Sequence, residues 1–273
     1  MTFPFVVRRF LFAMACLAMP WVAHASDAAP ARIIARDVAA ASTGEGARGE
    51  RWVLRSDALG EDVALRIHFP VGGIESTTVL LVAMLPPADV GRIVEHLRQR
   101  ERASEIHGVV VVALEPVAPR RGQPWTPRHR EPIRATAPSR LTHFLAEELR
   151  PLLREELELS GDALVAGAGA PGRAVLQAAV EARGAFDEFV VVAPRTRDVR
   201  AAARASAGIR ATSPASNINL LVSPDAADAI GPAAEQWIEG PFYLEVDIAP
   251  GEATDASDYV RDRAAQLAIV RPF

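Results

Sequence analysis

Residues 163–176 have the sequence ALVAGAGAPGRAVL, in which an apolar run passes through three closely spaced glycines into a second apolar pattern. The run over residues 163–166 predicts a buried strand, and the residues after Gly172 have the apolar spacing of a helix. Gly167, Gly169 and Gly172 permit the tight, strained reversal that joins the two. The segment is therefore predicted to be a strand–turn–helix unit.

The same alternation of apolar runs and helical patterns continues on both sides of this turn. Near-continuous apolar runs indicate strands that are covered on both faces, whereas alternating runs indicate half-buried strands. Apolar spacings of three and four residues between the runs indicate helices. The predicted strands are residues 52–55, 63–69, 79–85, 109–114, 164–166, 189–193, 220–223 and 243–248, and the predicted helices are residues 88–102, 140–158, 172–183, 198–207, 226–239 and 257–270.

This order of elements predicts an α/β fold. Two leading antiparallel strands followed by strand–helix units give a single three-layer α/β/α domain, predicted over residues 51–273, with a mostly parallel sheet of about eight strands. Ligands of such sheets bind beyond the carboxyl ends of the strands. Residues 115–138 hold six prolines and are expected to form a long loop over this edge.

The amino-terminal residues have the pattern of a secretory signal peptide. Two arginines precede an apolar run over residues 10–22, which ends in the small-residue pattern Ala23-His24-Ala25. The run of about 13 residues is shorter than the roughly 20 that span a bilayer. We therefore expect residues 1–25 to be a signal peptide cleaved after Ala25, residues 26–50 to be a flexible segment, and the protein to be periplasmic or secreted with no permanent membrane span.

Composition excludes several classes of function. All 30 basic residues are arginine, which excludes Schiff-base enzymes, Ser-Lys dyads and P-loop lysines. The single cysteine, Cys16, lies in the predicted leader, so the mature chain has no disulfide, thiol nucleophile or sulfur-based zinc site. Loss of the leader with Arg8 and Arg9 changes the formal net charge from −4 to −6, which does not favour a nucleic-acid partner. No histidine pair has metal-ligand spacing, and we expect neither a metal nor a cofactor.

The glycine turn has the context of a nucleophile elbow, GxSxG, in which a serine on the turn attacks and the next backbone N–H stabilises an oxyanion. Other motifs accompany it: VLLVAML at 79–85, GVVVVALEP at 108–116, Arg120 with WTP at 125–127, FLAEELRPLL at 144–153 and FVVVAPR at 189–195. By these motifs most of the mature chain resembles the secreted esterases with an α/β-hydrolase fold that are related to enterochelin esterases. The resemblance implies that fold and, for an intact member, serine hydrolysis of ester bonds.

The same resemblance implies that the catalytic groups are replaced. Gly169 stands at the nucleophile position of the elbow, and Thr254, within PGEATDAS at 250–257, stands at the histidine position. The positions of the histidines support the same conclusion without any alignment to family motifs. The triad of this fold places its histidine last along the chain. Here all histidines outside the leader precede the elbow: His68, His96, His107, His129 and His143.

Three further residues are candidates for the site. Asp225 follows the strand 220–223 and is the candidate acid, with Asp228 as the alternative, although a carboxylate with no histidine to orient is more typical of a helix cap. The strand 79–85 is followed by Pro86 and Pro87, which have no N–H to donate to an oxyanion. The N–H of Ala170 is therefore the remaining candidate donor. Trp125 is the candidate ligand-binding aromatic residue.

Three interpretations therefore stay open. The first is an exported pseudoenzyme that acts by binding a small-molecule ligand or an envelope protein. The second is an active carboxylic-ester hydrolase with a non-standard site, in which His129 or His143 serves another serine or threonine. The third is a dinucleotide-binding protein, since Gly167, Gly169 and Gly172 also satisfy GxGxxG, and Arg195 and Arg197 could meet a 2′-phosphate.

The leader yields the first testable prediction. When the full chain is expressed in a Gram-negative host, the protein recovered from the periplasm should have the intact mass of a chain that begins at Ser26, because the pattern before it fits cleavage by a signal peptidase. A protein that keeps Met1 and stays with the cytoplasm would contradict the prediction.

Overall fold

A single mixed sheet forms the centre of the molecule in the computed structural model. The model describes residues 31–39, 48–75, 77–115, 137–206, 216–235, 237, 242–249 and 256–269. Its strands are β1 (Arg32–Ala39), β2 (Gly49–Ser56), β3 (Glu61–His68), β4 (Val79–Met84), β5 (Val109–Glu115), β6 (Ala163–Ala168), β7 (Glu188–Val192), β8 (Ser216–Val222) and β9 (Phe242–Ile248).

The strands lie in the order β1-β2-β3-β5-β4-β6-β7-β8-β9. The pairs from β1 to β5 along this order are antiparallel, and all remaining pairs are parallel. Because β4 to β9 are parallel, their carboxyl ends meet at one edge of the sheet. The mostly parallel α/β architecture predicted from the sequence is confirmed.

Helices cover both faces of the sheet. Those of the described chain are α1 (Pro87–Arg102), α2 (Pro138–His143), α3 (Arg150–Glu156), α4 (Ala170–Glu181), α5 (Thr196–Ser206), α6 (Pro224–Glu235) and α7 (Ala256–Leu267), and a π-helical stretch (Phe144–Leu149) joins α2 to α3. Helices α1 and α7 contribute buried side chains to the core on one face, and the other helices contribute to the core on the opposite face.

Burial of the central strands explains their near-continuous apolar sequence. Every residue of β4 is buried, with Val82 in one core and Leu81 in the other. A strand that faces helices on both sides needs apolar side chains at every position, since successive side chains point to opposite faces. This arrangement places the turn after β6 at the carboxyl edge, between two helical layers.

The eight predicted strands and six predicted helical segments are all found, and one strand was missed. Strand β1 lies inside residues 26–50, so the predicted flexibility is wrong for this part and the sheet begins before residue 51. Pairing with β2 along its length holds β1, and the Arg36 guanidinium stacks 4.3 Å from the centroid of the Trp52 ring. The predicted leader and most of the predicted loop 115–138 lie outside the described residues.

Helix length and polarity bear on membrane insertion. Within the described ranges, none of the helices is both long enough and apolar enough to cross a bilayer.

A buried ion pair fixes α7 against the sheet. Glu188, at the start of β7, is 4% exposed, and its carboxylate accepts hydrogen bonds from Arg263 Nε and Asn219 Nδ2, both at 2.6 Å. Arg263 also lies 2.9 Å from a carboxylate oxygen of Glu245 on β9. Burial raises the pKa of Glu188, while the hydrogen bond and charge of Arg263 oppose that rise. The Arg263 cation therefore offsets part of the effect of burial on this carboxylate.

Removing the cation should destabilise the fold. Arg263→Met leaves Glu188 buried without its partner, and such a break typically costs about 3–5 kcal/mol of unfolding free energy. Arg92→Met is the matched control, because Arg92 is 59% exposed and pairs with Asp89 within α1, where an exposed pair contributes about 0–1 kcal/mol. Urea unfolding measures both variants, and equal losses would contradict the role of the cluster.

Candidate functional site

The turn after β6 has the backbone conformation of a strained strand-to-helix reversal. Gly169 precedes the first residue of α4 and has φ +62° and ψ −120°, a conformation that L side chains rarely adopt. Its N–H points to the carbonyl of Val192 at the end of β7, at 3.4 Å. A Cβ built on Gly169 would have no other atom within 4 Å. The turn is therefore held in a sharp conformation and has open space in front of it.

The two other glycines allow close packing of α4 on the sheet. A Cβ on Gly167 would lie 2.9 Å from Val175 Cγ2 and 3.0 Å from the backbone nitrogen of Gly172. A Cβ on Gly172 would lie 2.9 Å from Val191 Cγ1. Real side chains do not approach this closely, so only glycine fits at either position. Helix α4 thus starts directly against β6 and β7.

The neighbouring strand β4 offers a different turn. Helix α1 begins at Pro87, three residues after the last residue of β4, and neither Pro86 nor Pro87 has an N–H to donate. The N–H of Ala170 remains a candidate donor, since the first N–H groups of a helix have no acceptor within that helix. Ala170 is the exposed first residue of α4. The N–H of Ala170 is therefore the candidate oxyanion donor at this edge, and Pro86 and Pro87 contribute no N–H.

One of the remaining candidates, Asp225, is among the described residues. Asp225 lies in the first turn of α6 after β8 and is exposed, with β7 between its strand and β6. Thr254 and Trp125 lie outside the described residues. The predictions for these two positions stay predictions.

Among the described histidines, His68 lies away from the open elbow. His68 pairs with Val111 near the amino ends of the parallel strands, about five residues or roughly 16 Å along the strands from the level of Gly169. Burial, followed by the charges of Arg98 and Arg66, lowers the pKa of His68 to about 4. No imidazole in the described ranges is hydrogen-bonded to a serine or threonine hydroxyl.

His143 is the described histidine on the helix nearest to α4. It is half-buried at the end of α2, and the hydroxyl of the preceding Thr142 donates to the carbonyl of Ala174 on α4 at 3.4 Å. That contact places α2 against the side of α4, beyond its first turn. His129, the other histidine considered for a rescued site, lies outside the described residues.

Three arginines follow β6 and β7 beside the elbow. The sequence analysis did not predict that they form one group. Arg173 is in the first turns of α4, and Arg195 and Arg197 flank the start of α5 after β7. Asp198 is 8% exposed, and one of its oxygens lies 3.7 Å from the Nε atoms of both Arg173 and Arg197. The sequence interpretation assigned Arg195 and Arg197 only to a dinucleotide phosphate. The sequence signal that could have predicted this group is the presence of arginines after two adjacent parallel strands.

A separate cavity of about 810 Å³ opens at the opposite edge of the sheet. The Arg36 and Trp52 pair and Phe69 line it, together with Glu156, the last residue of α3. It includes none of the candidate site residues and does not touch the elbow.

The comparisons with known proteins identify the fold. No protein-family model and no curated protein matches the chain. The siderophore hydrolase EstB from Aspergillus nidulans matches 84% of this chain and 98% of its own, with 14% identity and a TM-score of 0.62. An IroE-like serine hydrolase from Shewanella oneidensis matches 80% of this chain and 79% of its own, with 14% identity and a TM-score of 0.57.

A third structure extends the same similarity. An S-formylglutathione hydrolase from Agrobacterium tumefaciens matches 87% of this chain and 99% of its own, with 13% identity and a TM-score of 0.54. Identities this low show a shared fold and carry no activity with them. The chain therefore has the α/β-hydrolase fold that its motifs imply.

The glycine packing is testable by substitution. Gly167→Ala should lower the unfolding free energy by about 1–3 kcal/mol or more, because its Cβ would meet backbone atoms that cannot move aside. Gly91→Ala is the matched control, since Gly91 is exposed in α1 with nothing within 4 Å of a built Cβ, and alanine there should add up to about 1 kcal/mol. A Gly167→Ala protein as stable as the wild type in urea unfolding would contradict the close-packing account.

Proposed function

We propose that this protein is an exported pseudoenzyme that binds a ligand at the carboxyl edge of its sheet without hydrolysing it. The α/β-hydrolase fold places an elbow at that edge, and the residue at its nucleophile position decides whether it can act as an esterase. An envelope protein seated at the same edge is the other occupant considered. Export rests on the pattern of residues 1–25.

The observation that carries the proposal is Gly169. It holds the strained turn conformation, with φ +62° and open space for a side chain, at the point where the elbow motif calls for serine. Glycine has no atom that can attack a carbonyl carbon. The position therefore retains the geometry of a nucleophile without its chemistry.

The imidazole base of the triad is missing for a separate reason. Histidine does not occur after residue 143 in the sequence, so nothing beyond the elbow can act as the imidazole base of this fold. Without nucleophile and base, an oxyanion donor and binding alone leave on the order of 10³–10⁴-fold acceleration over water. Ala170 is the donor that remains, and two prolines occupy the neighbouring turn. Such a site favours binding over turnover.

Siderophores are a reasonable first ligand class to assay. EstB and EstA from Aspergillus nidulans are both named siderophore hydrolases, and each matches this chain by fold. A protein that keeps the scaffold and lacks the catalytic groups could bind such an ester intact. A bound ligand raises the apparent stability of the folded state, so ligand-dependent thermal stabilisation reports this binding.

Reaction with a fluorophosphonate probe and restoration of the missing groups together test the proposal. The mature wild-type protein should remain unlabelled by the probe, because labelling requires an activated hydroxyl. The double variant Gly169→Ser, Thr254→His should become labelled at the introduced serine and should hydrolyse short acyl esters, with Asp225 as the candidate acid. Mass spectrometry locates the label, and ester turnover is followed in parallel.

The matched control is Gly169→Ala with Thr254→His, which carries the same backbone strain and the same imidazole without the hydroxyl. It should stay unlabelled and inactive. Labelling of the wild type at any serine or threonine would contradict the proposal and favour an active hydrolase with a non-standard site.

A further inference from the structure

We infer that the ligand held at this edge is an anion, bound through its carboxylate or phosphate oxygens by Arg173, Arg195 and Arg197. The inference rests on the proposed function, because it names the ligand class of the same site. It is carried by the position, the exposure and the incomplete pairing of these three side chains.

Their position follows from the topology. Strands β6 and β7 are adjacent and parallel, so the connections that follow them emerge side by side at the carboxyl edge. Arg173 belongs to the connection after β6, and Arg195 and Arg197 belong to the connection after β7. Asp198 lies within ion-pair distance of both Arg173 and Arg197, which shows that the two connections meet.

Their charge is not neutralised by the described residues. Asp198 is the one acidic side chain there that pairs with the group, and it lies near Arg173 and Arg197 but has no recorded ion pair with Arg195. Both distances are 3.7 Å, beyond hydrogen-bond length, and the arginine side chains are 53% and 69% exposed. A guanidinium carries five N–H donors in a planar fork that matches carboxylate and phosphate oxygens.

Three arginines with close acidic partners provide a comparison. Arg92, Arg100 and Arg55 lie 2.6, 2.8 and 2.9 Å from carboxylate oxygens. These are close, charge-assisted contacts within α1 and its C-terminal turn or across a strand pair. The arginines beside the elbow have longer contacts to a shared, buried acid, and they therefore keep donors available for a ligand.

The surroundings favour an anion beside the elbow. The amino ends of α4 and α5 lie at this edge and add partial positive charge to that of the arginines. The open space at Gly169 and the exposed alanines Ala170 and Ala193 leave room beside the guanidinium groups. Asp225 and Asp228 on α6 are the exposed acids after the next strand, and they would disfavour an anion that extends toward β8.

Titration of the mature protein with inorganic phosphate and with citrate tests the inference by calorimetry. The two probes distinguish phosphate from carboxylate recognition, and saturable binding of at least one is expected. Arg173→Gln with Arg197→Gln should weaken that binding by about tenfold or more, since each lost charge-assisted hydrogen bond is worth at least that. The charge-matched control, Arg92→Gln with Arg100→Gln, should change it by less than about threefold.

A variant that gains affinity distinguishes anion binding by the arginines from a general loss of structure. Asp198→Asn removes the competing carboxylate and should tighten binding of the same anion by about two- to tenfold, a result that misfolding cannot produce. Absence of binding for both anions, equal losses in the two double variants, or no gain in Asp198→Asn would overturn the inference. Probe labelling of the wild type would instead refute the proposed function, so the two failures are distinguishable.

Discussion

The close approach of α4 to β6 and β7 is the constraint on which the site depends. Gly167 and Gly172 have no room for a Cβ, because Val175, Val191 and backbone atoms occupy that space. Between these two close-packed glycines, Gly169 has a φ of +62°. The close packing on either side of the turn involves Gly167 and Gly172 and no side chain at position 169.

The packing of this turn is therefore separate from any chemistry at position 169. The packed glycines and the hydrogen bond from Gly169 to Val192 belong to the fold, whereas the nucleophile and base are single side chains that contribute little to stability. At this edge the chain instead places guanidinium groups after two adjacent strands. Arginine binds and orients anions but does not exchange protons near neutral pH, and such a group suits recognition.

Sequence patterns predicted most of the fold and only part of the site. Strands such as β4 and β6 were predictable because burial on both faces demands an unbroken apolar run. Strand β1 was missed because it is an edge strand with exposed Ile34 and Val38, so its sequence lacks the signature of a buried strand. The pairing of Arg173 and Arg197 through Asp198 links residues from different connections, and no local pattern encodes such a contact. The roles assigned to Thr254 and Trp125 rest on motif position alone.

The central claim is that this elbow holds its shape without catalysing ester cleavage. Steady-state hydrolysis of p-nitrophenyl butyrate by the mature wild-type protein, beside Gly169→Ala, measures this most directly. The two proteins should give the same rate, with no saturation by substrate, because neither has a nucleophile at the turn. Saturable turnover by the wild type that disappears on substitution of one serine or threonine would contradict the claim.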